Sequence, residues 1–208
     1  MCVRTGACRR ETPMSLLELI AAADERGLAA SAIACLDRCL PQPVDGADPD
    51  PLRPLRAGCA DAAAWPERLA EVRAALDAAA CEEGAAPRIR KLLGEAPADR
   101  AAPELREWAD ACSLLALEVH LAPDTAPGAG TETARRRRAG DPDGADPLPA
   151  GELRRQIRIL ETLAATADAA SAGAGLRQVL EASAEGQRVL RAAVSRRARR
   201  DPDERPRT

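Results

Sequence analysis

The densest chemistry in this sequence is cationic. Arg135 to Arg138 run together, and the last helical stretch carries Arg188, Arg191, Arg196, Arg197, Arg199 and Arg200. Guanidinium clusters neutralise phosphates or carboxylates, so Arg196, Arg197, Arg199 and Arg200 are the candidate contacts to an anionic partner, either nucleic acid or an acidic protein surface. Three features weigh against nucleic acid. Cations at a helix C-terminus complement its dipole, Asp201, Asp203 and Glu204 follow at once, and no aromatic residue stands nearby to stack a base. The net charge of −3 points the same way.

His120 is the only histidine. It sits in the apolar run LLALEVHL, with Glu118 two residues before it, and residues two apart on a helix do not face each other. A satisfied or surface-facing histidine at a helix end is the expectation, not a general base. Cys35 and Cys39 stand four apart on one helix face, half of a metal site, but no Cys-x-x-Cys occurs and no histidine lies at ligand spacing. Buried small hydrophobes are the better reading. Gly173-Ala-Gly175 follows a helix where a dinucleotide fingerprint must follow a strand, and Asp141, Asp143 and Asp146 around Gly144 miss the spacing of a calcium loop. The sequence therefore assigns no catalytic residue, no metal site and no cofactor.

The elements that must carry these residues are helical. Ala accounts for 48 of 208 residues, Trp65 and Trp108 are the only aromatics, and Leu, Arg and Glu dominate the rest. Leu, Ile and Val together make only 36 residues, so the core is thin, and close Ala packing, a partner or a second copy is expected to complete it. Ser15 and Glu18 form a capping box ahead of Leu16, Leu19, Ile20 and Ala23, with Gly27 as the expected C-cap. Ala29, Ile33, Leu36 and Leu40 predict a second helix that stops at Pro41. A short helix through Leu52, Leu55 and Cys59 precedes a longer one opened by Pro66, on which Trp65 is placed to staple against Leu69. A short helix from Pro87 to Leu93 leads to the most apolar stretch, from Pro103 to Leu121, whose wide apolar circumference marks it as central.

Residues 122–150 lack periodicity and are rich in Pro, Gly and Asp, the composition of a disordered linker. Two helices follow, at about 151–170 and 174–199, with Gly173 and Gly175 suited to the turn between them. The middle of the second offers only Ser183, Gly186 and Gln187 to its inner face, so it is expected to be weakly held there. The resulting organisation is an all-α chain: a disordered extension at 1–13, a helical-hairpin body at 14–121, the linker at 122–150, a C-terminal helical hairpin at 151–200 and a disordered tail at 201–208. Met14, just before the capping box, is the expected true start.

No apolar run approaches the roughly 18 residues of a membrane span. Glu18, Asp24 and Glu25 spoil the one stretch resembling an export signal, so the expectation is a cytoplasmic protein with reduced thiols and no membrane association. The Arg-over-Lys bias, 29 to one, suits a high-GC bacterial source.

The segment LLELIAAADERGLAASAIACLDRCL resembles a tetratricopeptide repeat. Leu16, Leu19 and Ala23 fall at first-helix positions, Gly27 at the turn, Ala32-Ile33 at the tight helix contact and Cys39-Leu40 at the closing pair. Residues 52–76 match less well, because Arg68 takes a place that wants a small side chain. The resemblance implies binding of peptides or partner proteins in a concave groove. The functional expectation is thus a non-enzymatic interaction or adaptor protein, with an unidentified protein partner or a second copy of itself. The alternative is a nucleic-acid-associated regulator acting through the Arg-rich C-terminal helix.

Overall fold

Prolines, capping side chains and apolar spacing divide the chain into helices largely where the sequence marks them. The structure is a computed structural model that describes residues 14–40, 50–79, 82, 84–100, 102–122, 130–140, 146–168 and 170–200. Among these residues the elements are nine α-helices: α1 (Leu16–Ala22), α2 (Glu25–Cys39), α3 (Arg53–Gly58), α4 (Trp65–Ala78), α5 (Ala86–Glu95), α6 (Ala102–Leu121), α7 (Gly130–Arg138), α8 (Pro147–Ala165) and α9 (Ala172–Arg200). Prolines occupy the first turns of α3, α4, α5 and α8, where a missing N–H costs nothing.

The capping box forms as expected, with Glu18 Oε2 accepting from Ser15 N at 2.8 Å. The break after α1 comes earlier than expected. Asp24 caps α2 by accepting from Gly27 N at 2.6 Å, so Gly27 lies inside the first turn of α2 instead of ending α1. A Cβ at Gly27 would stand 2.9 Å from that carboxylate. Arg26, the neighbouring residue, reaches the carbonyl of Thr166 at 2.5 Å and so caps the C-terminus of α8.

α2 and α6 pack most extensively on each other and form the axis of the molecule. Alanines make this close approach possible: Ala29 and Ala32 of α2 and Ala109 and Ala116 of α6 are buried. The central position expected for α6 holds. Trp65 and Trp108 then consolidate the end formed by α4, α5 and α6. Their rings meet edge to face at 6.0 Å between centroids, and each indole N–H donates to a backbone carbonyl, Trp65 to Pro97 at 2.9 Å and Trp108 to Leu92 at 2.8 Å.

The C-terminal helices are not a separate tethered hairpin. α9 lies along both α8 and α2, α8 also touches α1 and α6, and one hydrophobic cluster runs from Leu16 to Val179. Nor is 122–150 structureless throughout. Residues 130–138 form α7 against α6, and α8 begins at Pro147. α7 has little apolar periodicity because its anchor is Ala134, fully buried, together with Arg138, whose guanidinium binds Asp110 of α6. The turn between α8 and α9 also differs from expectation. Gly173 and Gly175 lie inside α9, and Gly175 presses against the end of α8 so closely that a Cβ would stand 1.9 Å from Thr166 Oγ1. The segments 1–13, 41–49, 123–129, 141–145 and 201–208 lie outside the described residues. No helix among those described is long and apolar enough to cross a membrane.

Candidate functional site

The weak middle of α9 faces a buried polar cluster that joins four helices. Arg38, in the last turn of α2, and Glu152, in α8, are both completely shielded from solvent. Arg38 Nη2 donates to Glu152 Oε1 at 2.6 Å and Nε to Oε2 at 3.0 Å, a two-pronged pair. Arg38 also donates to the Ala34 carbonyl at 2.7 Å and to Ser183 Oγ of α9 at 3.4 Å. One turn along α8, Gln156 donates to Glu152 Oε1 at 2.9 Å and accepts from Ser113 of α6 at 2.5 Å. Arg155 reaches Glu152 Oε2 at 3.2 Å.

Gly186 makes room for this arrangement, since a Cβ there would meet Arg38 Cδ at 2.5 Å and Arg155 Nε at 2.9 Å. Gln187 donates to the Asp37 carbonyl. The stretch Ser183, Gly186 and Gln187, expected to hold α9 weakly, is where α9 closes over the two arginines.

Burial opposes charge on Glu152, but the Arg38 guanidinium and the Gln156 hydrogen bond outweigh it and hold the carboxyl at about 2. Burial likewise opposes charge on Arg38, and Glu152 more than restores it. His120 belongs to the same cluster. It is fully buried, its Nδ1 donates to the Ala116 carbonyl at 2.7 Å, and its Nε2 stands 3.5 Å from Glu152 Oε2. Desolvation, reinforced by Arg38 and Arg155, pushes the imidazole below its ordinary value despite Glu152. The neutral ring therefore turns an unprotonated nitrogen toward a carboxylate oxygen. Glu118, as its spacing predicts, faces elsewhere and pairs with Arg88 of α5.

Acid, base and hydroxyl groups are thus gathered, with Arg38, Glu152 and His120 shielded from solvent. The cavity against them, bounded by Ser113, Gln156 and Arg38 among others, measures about 10 Å³, the room of about one water. The arrangement fixes the relative positions of α2, α6, α8 and α9.

An open site lies on the other side of Ser183. α3 and α9 flank the same stretch of α2, and between them runs a groove of about 450 Å³. Ala30 and Ala34 of α2 form its floor, Leu176, Val179 and Leu180 of α9 one wall, and Arg53, Arg56 and Ala57 of α3 the other. Arg56 is held within the wall by Asp37 at 3.2 Å and by Asp50. Leu180 is 40% exposed at the lip.

The remaining candidates from the sequence fall as follows. Arg196, Arg197 and Arg199 are exposed on the last turns of α9, while Arg200 ends the helix and its side chain lies outside the described residues. The run Arg135–Arg138 divides: Arg138 binds Asp110, Arg137 pairs with Asp146 at 3.3 Å, and Arg135 and Arg136 are exposed. Cys35, Cys39, Cys59 and Cys112 are free thiols in the core, and burial pushes Cys35 up to about 11 and Cys59 up to about 12. Cys2, Cys8 and Cys81, with Asp141, Asp143 and Gly144, lie outside the described residues. Among the described residues no three of His, Cys, Asp and Glu are grouped to hold a metal.

Sequence reasoning misses Glu152 and Arg38. The only available signal was the polar gap at Ser183, Gly186 and Gln187 in an otherwise apolar stripe. Comparison with protein-family models, with curated proteins and with solved structures finds no match.

Proposed function

We propose that the protein is a non-enzymatic interaction protein that binds a partner protein in the groove between α3 and α9. The groove itself carries this reading. It is apolar along its floor and one wall, is open to solvent, and has an exposed leucine at its lip, the composition of a contact surface. The reading is further supported by the placement of the acid and base groups around Glu152, which are locked to one another in a space too small for a substrate.

The test is purification of the tagged full chain from its native cells. A companion in stoichiometric amount is expected, and a single Leu180→Asp substitution is expected to release it. Recovery of the wild-type chain alone and monomeric would overturn the proposal.

A second reading follows from the exposed arginines at the end of α9. Arg196, Arg197 and Arg199, with Arg200 beside them in sequence, form a cationic tip suited to phosphates. It requires a DNA or RNA mobility shift that weakens with salt and disappears when these four residues are replaced by alanine. No shift at low salt would remove it.

A further inference from the structure

We propose that His120 works an acid-operated latch on α9: a protonated His120 takes the place of Arg155 at Glu152 Oε2, and the freed Arg155 lifts the middle of α9 from the body of the protein. The latch stands whether or not the groove beside it holds a partner.

The carboxylate at the centre has no room for a further donor. Glu152 Oε1 accepts from Arg38 at 2.6 Å and from Gln156 at 2.9 Å, and Oε2 accepts from Arg38 at 3.0 Å and from Arg155 at 3.2 Å. His120 Nε2 stands 3.5 Å from that same Oε2, buried and without a hydrogen bond of its own among the described residues. A proton taken from solvent onto Nε2 turns two facing lone pairs into a donor that competes for Oε2. It also adds a charge to a shielded group that already holds two guanidinium ions to one carboxylate.

The charges that bear on the ring are Glu152 and Arg155 of α8 and Arg38 of α2. Arg88 of α5 and Arg138 of α7, which also face α6, are engaged by Glu118 and Asp110, and Glu18 of α1 lies exposed against Ser15. Burial keeps the thiols of Cys35 and Cys39 on α2 and of Cys112 on α6 protonated.

Arg155 is the donor that yields. Arg38 grips both oxygens of Glu152 and is wholly shielded, whereas Arg155 holds one oxygen and keeps 10% of its side chain exposed. Its way out lies under α9, since its Nε and Cδ are 2.9 and 3.0 Å from where a Cβ on Gly186 would stand. α9 is lightly fastened at that point. Ser183 meets Arg38 at 3.4 Å and the Ala34 carbonyl at 3.5 Å, and Gln187 donates to the Asp37 carbonyl. An outward turn of Arg155 therefore meets α9 where only small and polar side chains hold it, and the groove wall formed by Leu176, Val179 and Leu180 moves with it.

The test is amide exchange of the untagged full chain at pH 7.5 and 5.5, corrected for the intrinsic rate at each pH. Closure of α9 holds the imidazole below its ordinary 6.5, so protons favour the open form below that pH. Protection of residues 176–190 is expected to fall about tenfold in acid. That loss should be insensitive to low urea, as local opening is, while exchange in α2 and α6 accelerates with urea. His120→Gln should abolish the acid effect on α9. Arg155→Met should abolish it too, because Oε2 then has a place free for the protonated ring, and it should raise the midpoint of the imidazole's own NMR titration. That signal needs no assignment, since His120 is the only histidine.

Acid-induced exchange in α9 that climbs with urea as steeply as in α2 and α6, or that persists in Arg155→Met, would overturn the proposal. So would unchanged protection of α9 at pH 5.5. If His120→Gln fails to fold, the wild-type titration decides: a midpoint below 6.5 is expected, and one at or above 6.5 would mark a settled ion pair with Glu152 and overturn the latch.

Discussion

Arg38 and Glu152 lie 114 residues apart in the chain and bind each other with both side chains wholly out of solvent, the closest approach being 2.6 Å. The pair ties the second helix to the eighth, and Gln156, Ser113 and Ser183 carry the connection into α6 and α9. Breaking one side would strand the other as a buried, uncompensated charge. Glu152→Gln is therefore expected to cost about 3–5 kcal/mol in chemical denaturation. The double variant Arg38→Met, Glu152→Leu should recover most of that loss, because it removes both desolvation penalties at once. Equal losses in the single and double variants would show that packing volume, and not charge pairing, matters at this position.

The glycines of α8 and α9 should respond oppositely to alanine. Gly186 faces Arg38 and Arg155 with no room for a Cβ, so Gly186→Ala is expected to destabilise by about 1–3 kcal/mol. Gly151 lies inside α8 with nothing within 4 Å of an added Cβ, so Gly151→Ala should stabilise by about 0.5–1 kcal/mol through helix propensity. Thermal melting of the two variants side by side checks both signs.

The buried imidazole makes stability depend on pH. His120 takes up a proton less readily when folded than at its ordinary value of 6.5, so the unfolded chain binds more protons as pH falls below that value. Stability is then lost as pH falls from about 6.5 toward the folded value, by at most about 1.4 kcal/mol per pH unit. Glu152 has its folded value, about 2, below its ordinary 4.5, and its contribution disappears separately between those two values. Denaturation at pH 7.5 and at 5.5 should therefore show a loss in the wild type that His120→Gln removes. An unchanged loss in the variant would assign the acid sensitivity elsewhere.

The four core thiols should be inert in the folded protein. Cys35 and Cys59 have no exposure to speak of, and burial keeps both protonated far above neutral pH. Burial raises Cys39 and Cys112 well above the ordinary thiol value as well. Ellman titration at pH 8 is expected to release four additional thiols only when denaturant is added. Reaction of all seven without denaturant would contradict the buried placement.

What the sequence makes legible is local. The capping box at Ser15, the prolines opening α4 and α5 and the wide apolar face of α6 all follow from residues close in the chain. The interactions that complete the fold do not. Arg38 and Glu152 each sit on a helix among other charged residues, where a solvated face is the natural reading, and nothing nearby in the chain shows that their helices meet. α7 escapes the same way, since its hold on α6 is one alanine and an Arg138–Asp110 pair. The groove is harder still to foresee, because its two walls, from α3 and α9, lie far apart in the chain. Spacing suggests a C-cap at Gly27 and a turn at Gly173 and Gly175, but the structure uses Gly27 beside a capping carboxylate and Gly175 for close approach.

The account turns on whether a partner lies in the groove, and proximity can be measured directly by photo-crosslinking in the native cells. A photoreactive amino acid replaces Leu180 at the lip of the groove in one version of the full chain, and exposed Glu161 on α8 in another. The account predicts a discrete adduct to a partner protein from position 180 and none from position 161. Adducts from position 161 alone, or from neither position, would contradict it.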